Sequence, residues 1–148
     1  MWFYNETEFT SSMVGDYAGF VYEIFDKDTK KIYIGKKKLI MLRTLKPLKG
    51  QKRKRRVISE SDWMSYYGSS EEVKKLVAEF GPNRFVRKII RLCKTPAEMS
   101  YYETKEILLR DALLKPNQYY NAFVGARINR NHLKHLLNSD WHFYHIGL

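Results

Sequence analysis

Cysteine and long apolar runs are both scarce in this 148-residue chain. The single cysteine, Cys93, excludes an internal disulfide, and its apolar neighbours predict core packing in a reducing compartment. No apolar run approaches the roughly 20 residues that a membrane-spanning helix needs. The first residues include Glu6 and Glu8 and do not form a basic, apolar leader. We therefore expect a soluble, cytoplasmic protein with no membrane partner.

Acidic residues are missing altogether between Lys36 and Ser59, where eleven Lys or Arg occur. The whole chain has 27 Lys or Arg and 16 Asp or Glu, so the remainder is formally neutral. Such a patch suits a phosphate backbone, whose neutralisation releases condensed counterions. A solvated loop without a partner is the alternative. The candidate DNA-binding residues in this segment are Lys46, Lys49, Lys52, Arg53, Lys54, Arg55 and Arg56.

Apolar periodicity predicts the elements in the first half of the chain. The first eighteen residues show no clean period and are expected to form a lead-in that packs on the domain. Apolar segments at 19–25 and 32–34, joined by a polar turn, predict a β-hairpin. Leucine and isoleucine then recur at helical spacing from Leu39 to Leu48, which predicts a short helix that Pro47 and Gly50 end.

The second half predicts a short helix containing Trp63, which Ser59 or Ser61 could cap, then two longer helices, a third strand and a tail. The segment Gly68-Ser69-Ser70-Glu71-Glu72 is a turn and a capped, acidic start of a helix that should run to about Phe80, and a strand should follow from Phe85 to Leu92. Thr95-Pro96 should open a helix to about Leu114, before the chain returns to the core at 119–123. A polar helix at 129–137 precedes an aromatic tail. The expected fold is one α+β domain over 1–148, with a small three-stranded antiparallel sheet flanked by helices and a C-terminal extension from 122.

Five features in fixed order resemble the GIY-YIG endonuclease superfamily. They are Phe20-Val21-Tyr22, Tyr33-Ile34-Gly35, Arg43, Glu103 and Tyr120-Asn121. The resemblance covers 19–121, with the basic segment at about 36–59 as an insertion, and small phage-encoded, free-standing members look most similar. The first triad reads Phe-Val-Tyr instead of Gly-Ile-Tyr, and Pro47 stands where some members carry a histidine.

The resemblance implies a metal-dependent DNA endonuclease, acting in the host cytoplasm if phage-encoded. Glu103 would hold Mg²⁺ or Mn²⁺, since oxygen ligands suit these ions. Arg43, on the first helix, would stabilise charge on the phosphate. Tyr22 would be the general base and Tyr33 would hydrogen-bond the phosphate or the attacking water. Because a free tyrosine has a pKa near ~10, Lys36 or Lys37 would have to lower it. Gly35 and Asn121 would be structural supports.

Each of these residues also has a plainer interpretation. The tyrosines can be ordinary strand aromatics and Arg43 one more member of the basic segment. Glu98 and Glu106 are alternative ligands on the same helix. Core packing is favoured over base stacking for Trp63, Tyr66 and Tyr67.

The histidine pairs His132/His135 and His142/His145 suggest zinc, but no cysteine stands near them to complete a site. A second DNA-facing surface with Arg127, Arg130 and Lys134, or a folded-back tail, is favoured. Duplex or branched DNA is the expected partner, and the sequence does not indicate an oligomer. The rival functions are a non-cleaving nucleic-acid-binding module on a GIY-YIG-like scaffold and a ribosome-associated structural protein.

Overall fold

Seven strands and two α-helices make up the fold, which a computed structural model describes over residues 1–137. The strands are β1 (Trp2–Tyr4), β2 (Thr7–Phe9), β3 (Gly19–Asp26), β4 (Ile32–Lys38), β5 (Ile40–Leu45), β6 (Arg55–Glu60) and β7 (Phe85–Cys93). The helices are α1 (Glu71–Phe80) and α2 (Pro96–Leu109). Short 3-10 helices span Ser11–Met13, Trp63–Ser65, Pro82–Arg84, Ala112–Leu114 and Arg130–Leu136.

Five strands form one mixed sheet in the order β2-β1-β7-β3-β4. Strand β1 runs parallel to β7, with Trp2 opposite Arg87, and the other neighbours are antiparallel. The α+β class is thus confirmed, but a sheet of only three antiparallel strands is wrong. The three expected strands form the antiparallel part β7-β3-β4, and the supposed lead-in extends it by two strands.

Alternate residues of β3 supply two cores on opposite faces of this sheet. Phe20, Tyr22 and Ile24 pack on one face with Trp2, Trp63 and residues of α1. Val21 packs on the other face with Ile34 of β4, Cys93 of β7 and residues of α2. Cys93 is a free, buried thiol, and burial raises its pKa to about 12, which confirms its place in the core. Each helix therefore covers one face.

Strands β5 and β6 form a separate two-stranded sheet, which is called the ribbon below. The predicted helix over 39–48 is wrong, because this stretch is one strand of the ribbon and the start of its loop. Helical spacing stabilises a helix when it gathers apolar residues on one buried face. Here Leu39 is fully buried, whereas Leu42 is 60% exposed and Leu45 39% exposed. Pairing with β6 supplies the backbone hydrogen bonds instead.

The two helices begin where capping residues predict them. The Ser70 hydroxyl accepts the Val73 N–H at 3.3 Å, and the Thr95 hydroxyl accepts the Glu98 N–H at 3.1 Å. Helix α2 ends at Leu109, five residues before the expected Leu114, because Asp111 adopts a left-handed conformation with φ of 50°. The polar segment near the C terminus is a kinked 3-10 helix rather than a regular α-helix. The aromatic tail beyond residue 137 lies outside the described residues.

A buried carboxylate fixes the turn between β3 and β4. Asp26 is fully buried and accepts two hydrogen bonds from Arg84, at 2.7 and 2.8 Å, and one from the Tyr120 hydroxyl at 2.6 Å. Burial opposes ionisation of Asp26, but these bonds outweigh it and hold the pKa of the carboxyl well below its usual range. These bonds join the hairpin that carries both tyrosines to the 3-10 helix before β7 and to the segment around Tyr120. Within residues 1–137, no helix has the length and apolarity to cross a membrane.

Candidate active site

Tyr22 and Tyr33 lie on the same face of neighbouring strands. Tyr22 on β3 pairs with Gly35 on β4, so Tyr33 is its diagonal neighbour, and the two ring centres are 6.3 Å apart. The phenol of Tyr22 lies directly over Gly35, where a Cβ atom would come within 2.5 Å of Tyr22 Cζ. Only glycine, which has no Cβ atom, fits at this position beneath the Tyr22 ring. The pairing of the two triads holds the tyrosines together.

The two phenols differ in burial. Tyr22 is fully buried, and its hydroxyl has no hydrogen-bond partner among residues 1–137. Burial raises its pKa well above the ordinary value, and the neighbouring Tyr66 adds to this effect. Tyr33 is half-buried and shares a hydrogen bond of 2.7 Å with the Ser69 hydroxyl. Burial also raises the pKa of Tyr33, although the bond to Ser69 opposes it. Both phenols are therefore protonated at neutral pH.

Glu103 approaches the tyrosine pair from the other side of β4. It lies on α2, which covers the opposite face of the sheet, and its carboxylate accepts the backbone N–H of Lys36. Burial raises the pKa of this carboxyl, and the positive charge of Lys36 works against that rise. After burial, the charge of Glu103 is one of the further causes that raise the pKa of Tyr22 and Tyr33. The carboxylate and the two phenols therefore meet around Gly35.

The two alternative glutamates on α2 are already engaged in ion pairs or hydrogen bonds. Glu98 is 4% exposed, accepts the Lys94 N–H at 2.9 Å and lies 3.2 Å from the ring of His135. Glu106 pairs with Arg110 at 3.3 Å. Of the three, only Glu103 lies beside the tyrosines, which favours it as the ligand.

Lys36 and Lys37 flank the site, but each ammonium is already held. Lys36 Nζ donates to the Ser100 hydroxyl at 2.6 Å. Lys37 Nζ donates to Asp62 at 2.6 Å and lies 4.2 Å from the centre of the Tyr66 ring. The expectation that these lysines lower the pKa of Tyr22 is wrong, since desolvation dominates and the pKa is raised.

Arg43 does not join the site in this structure. It lies on the exposed strand β5 instead of on a helix, opposite Val57 of β6. Within residues 1–137 its side chain makes no hydrogen bond or ion pair. The seven candidate DNA-binding residues are likewise exposed. Lys46, Lys49, Lys52, Arg53 and Lys54 lie in the loop of the ribbon, and Arg55 and Arg56 begin β6.

Asn121 supports the strand that carries Tyr33 and Gly35. Its side-chain amide donates to the Ile34 carbonyl at 2.8 Å, and its side-chain oxygen accepts the Ile34 N–H at 2.9 Å. Other backbone groups of β4 that face away from β3 are also hydrogen-bonded. Their partners are Gln118 and Tyr120 at Ile32, Glu103 at Lys36, and Ser61 at Lys38. The Asn121 side chain thus pairs with Ile34 in the way that a neighbouring strand would.

Sequence reasoning missed Tyr66 and Asp62 as neighbours of the site. The ring of Tyr66 stands 6.0 Å from that of Tyr22, perpendicular to it, and Asp62 holds Lys37 above Tyr66. The segment that carries them has no regular period, so only its dense aromatic content gave a signal. Trp63 is 1% exposed and confirms the expectation of core packing.

A zinc site gains no support from the described residues. His132 and His135 lie in the last 3-10 helix, and no group of three or more His, Cys, Asp or Glu within residues 1–137 is arranged to hold a metal. His142 and His145 lie outside the described residues. Arg127, Arg130 and Lys134 are exposed, and their role as a DNA-facing surface stays a prediction.

Comparison with protein families agrees with this arrangement. Residues 2–124 match the family described as "Putative endonuclease segE, GIY-YIG domain". Comparisons with curated proteins and with solved structures each gave no match. The matched range includes both triads, the ribbon, Glu103 and Asn121. The chain therefore belongs to the GIY-YIG family of endonuclease domains, to which a nuclease activity is ascribed.

Proposed function

We propose that this protein is a metal-dependent DNA endonuclease that hydrolyses phosphodiester bonds. The observation that carries the proposal is the meeting of Tyr22, Tyr33 and Glu103 around Gly35, beside a strongly basic ribbon. Membership of an endonuclease family supports the reaction class. The charge of the ribbon supports DNA as the substrate.

The chemistry of Glu103 fits a hard divalent cation, Mg²⁺ or Mn²⁺. Its carboxylate is half-buried with a raised pKa, so a nearby positive charge would favour its ionised form. A single carboxylate suits Mg²⁺, which keeps several waters and binds substrate phosphates. Bound there, such an ion would supply electrostatic stabilisation of the phosphoryl oxygens and lower the pKa of nearby water. Glu103 is the residue that would hold it.

We assign different proton-transfer roles to the two tyrosines. Tyr22 is the more deeply buried, so we assign it the role of a protonated donor to the attacking water or a phosphoryl oxygen. Tyr33 reaches the surface at Ser69, whose hydroxyl counteracts the rise in its pKa, and we assign its phenolate, formed as pH rises, the role of accepting a proton from the attacking water. This reverses the sequence-based preference for Tyr22 as the base, because burial disfavours its phenolate.

Positive side chains around this centre would stabilise the phosphate. Lys36 lies nearest to Glu103 and Lys37 lies over Tyr66. Arg43 extends the same charge onto the ribbon and would reach a phosphate only when DNA lies against it. The exposed lysines and arginines of the ribbon loop would grip the backbone without reading sequence. We expect the protein to act in the cytoplasm, or in that of the host if a phage encodes it.

Cleavage of supercoiled plasmid tests this proposal against a non-cleaving binding module. Purified protein with Mg²⁺ or Mn²⁺ should nick the plasmid, and EDTA should stop the reaction. Glu103→Gln keeps an oxygen acceptor for the Lys36 N–H but loses the charge, so it should abolish nicking without lowering the melting temperature. Glu106→Gln is the matched control on the same helix, and it should cut normally.

Two results would contradict the assignment. Undiminished nicking by Glu103→Gln would remove Glu103 from the site. A wild-type protein that binds DNA with the expected salt dependence, yet cuts neither linear nor branched DNA, would establish the non-cleaving module instead. Co-purifying RNA, retained equally by Glu103→Gln, would favour the ribosome-associated alternative.

A further inference from the structure

We propose that the ribbon reads base sequence in the major groove of duplex DNA through one of its two faces. The inference rests on the proposed function, since it names how that enzyme recognises its substrate. Strand pairing defines the faces, because directly opposed residues point to the same side. The inner face is Met41, Arg43, Leu45, Arg55, Val57 and Ser59. The outer face is Ile40, Leu42, Thr44, Arg56, Ile58 and Glu60.

The base of the ribbon is fixed to the domain. Leu39 is fully buried and donates its N–H to the Ala18 carbonyl at 2.9 Å. Ser61 closes the other strand by donating its N–H to the Leu39 carbonyl at 2.8 Å. The base of the ribbon therefore has a defined position on the domain, which a recognition element needs.

Beyond its base, the ribbon exposes apolar side chains that stabilise nothing in the isolated chain. Leu42 and Ile58 on the outer face are 60% and 65% exposed, and Met41 and Val57 on the inner face are 45% and 39% exposed. A two-stranded sheet is only marginally stable in water when it does not pack against other elements. Exposed apolar area of this kind indicates a surface that a partner covers.

The positive charge of the ribbon indicates that this partner is a nucleic acid. The ribbon and its approach hold the whole positive excess of the chain, with no acidic residue from Lys36 to Ser59. The major groove is wide enough to admit a two-stranded ribbon, and its floor presents thymine methyl groups and guanine acceptors. Arginine and apolar side chains are the residues that recognise these groups. The inner face carries both kinds, in Arg55, Val57 and Leu45.

We assign base reading to the inner face because this face leads towards Glu103 of the candidate active site. A cavity of about 250 Å³ at the base of the ribbon is lined by Met41 together with Lys36, Ser61, Met99 and Ser100. Ser100 lies one helical turn before Glu103 on α2. DNA positioned with its scissile phosphate at Glu103 would therefore pass along the inner face and not the outer one.

The length of the ribbon limits how far it reads. Its strands are six residues long, which corresponds to about 20 Å at roughly 3.3 Å per residue. At 3.4 Å per base step, this reach is about six base pairs. Sequence preference should therefore lie within about six base pairs of the cleaved bond, on one side of it.

The test compares chemically matched substitutions on the two faces. A duplex library with randomised positions is cut by each variant in Mg²⁺ and the ends are sequenced; the same library is selected for binding in Ca²⁺. Val57→Ser on the inner face should erase the preference at one or two positions, whereas Ile58→Ser on the outer face should keep the wild-type pattern. Arg55→Gln should relax a further position, while Arg56→Gln should keep the pattern. Arg56→Gln should instead reduce the slope of log affinity against log salt by about 1, because that slope reports contacts with phosphate.

Three outcomes would overturn the inference. One is equal loss of preference from both faces, and another is a wild-type protein that selects no sequence by cutting or by binding. The third is a wild-type dimer in sedimentation that Val57→Ser or Ile58→Ser converts to a monomer, which would make the ribbon a self-association surface. A protein that selects sequence in Ca²⁺ but never cuts refutes the endonuclease proposal and leaves the ribbon as the reader.

Discussion

Replacing Gly35 with alanine tests the packing on which the tyrosine pair depends. A Cβ atom at this position would lie 2.5 Å from Tyr22 Cζ and closer still to the hydroxyl oxygen. Tyr22 cannot step aside cheaply, because it is fully buried and the rings of Trp2 and Tyr66 stand 5.2 and 6.0 Å away. The alanine therefore has to displace either β4 or the phenol.

The expected loss follows from overpacking. Forcing extra volume into a packed core costs about 1–3 kcal/mol, and the rigid surroundings of Tyr22 place this change near the upper end. For a domain of this size, about 3 kcal/mol lowers the melting temperature by roughly 6–12 °C. A displaced tyrosine should also lower the cleavage rate by roughly 100-fold. Circular dichroism and plasmid nicking measure the two effects.

Gly125→Ala is the matched control, because a Cβ atom there meets nothing within 4 Å. Adding Tyr22→Phe to Gly35→Ala removes the nearest clashing atom and should recover part of the lost stability. A Gly35→Ala protein with the melting temperature of the wild type would refute the packing argument. If that protein also cut DNA at the wild-type rate, Tyr22 would not belong to the site.

Three further changes probe the strand support, the buried ion pair and the proton transfer. Asn121→Leu leaves the buried N–H and carbonyl of Ile34 without partners and should cost about 2–4 kcal/mol in urea unfolding; an unchanged midpoint would contradict this. Asp26 has a lowered pKa, so its ion pair stabilises the fold above the unfolded pKa near ~3.9 and is lost as pH falls through the folded pKa. Asp26→Asn should therefore flatten the acid limb of stability against pH. Tyr33→Phe should abolish the rise of cleavage rate with pH, whereas Tyr22→Phe should lower the rate at every pH.

Local signals in the sequence were enough to locate the hairpin, the capped helices and the central strands. Ser70 and Thr95 each satisfy a free N–H at a helix start, and this requirement depends on residues three positions apart. The spacing of Tyr22 and Tyr33 follows in the same way from a short hairpin. Features of this kind need no knowledge of distant contacts.

The errors concern pairings between distant parts of the chain. Strand β1 is stabilised by parallel pairing with β7, more than 80 residues later in the chain. Three apolar residues in the sequence do not by themselves indicate such a distant partner. Helical periodicity is misleading in the ribbon because it assumes that apolar residues face the core of the same chain. In β5 only Ile40 packs on the core, whereas Met41, Leu42 and Leu45 point to both sides and are exposed, which is the arrangement expected of a surface for a partner.

The site was predictable in composition but not in electrostatics. Sequence order named Tyr22, Tyr33 and Glu103, and the structure brings them together. The sign of the pKa shift of Tyr22 could not be obtained in that way, because it depends on how completely Trp2, Phe20 and Tyr66 exclude water. Whether Arg43 reaches the phosphate depends on DNA lying along the ribbon.

The bond between Glu103 and the Lys36 N–H affects how inactive variants should be chosen. Alanine at position 103 would remove the candidate ligand and would also leave a peptide group at the edge of β4 without its partner. Weaker DNA binding by that variant would then have two causes that the measurement does not separate, the loss of the charge and the loosening of β4. Anyone who needs a folded but inactive protein to trap substrate should therefore start from Glu103→Gln, which loses the charge but keeps an oxygen acceptor for the Lys36 N–H.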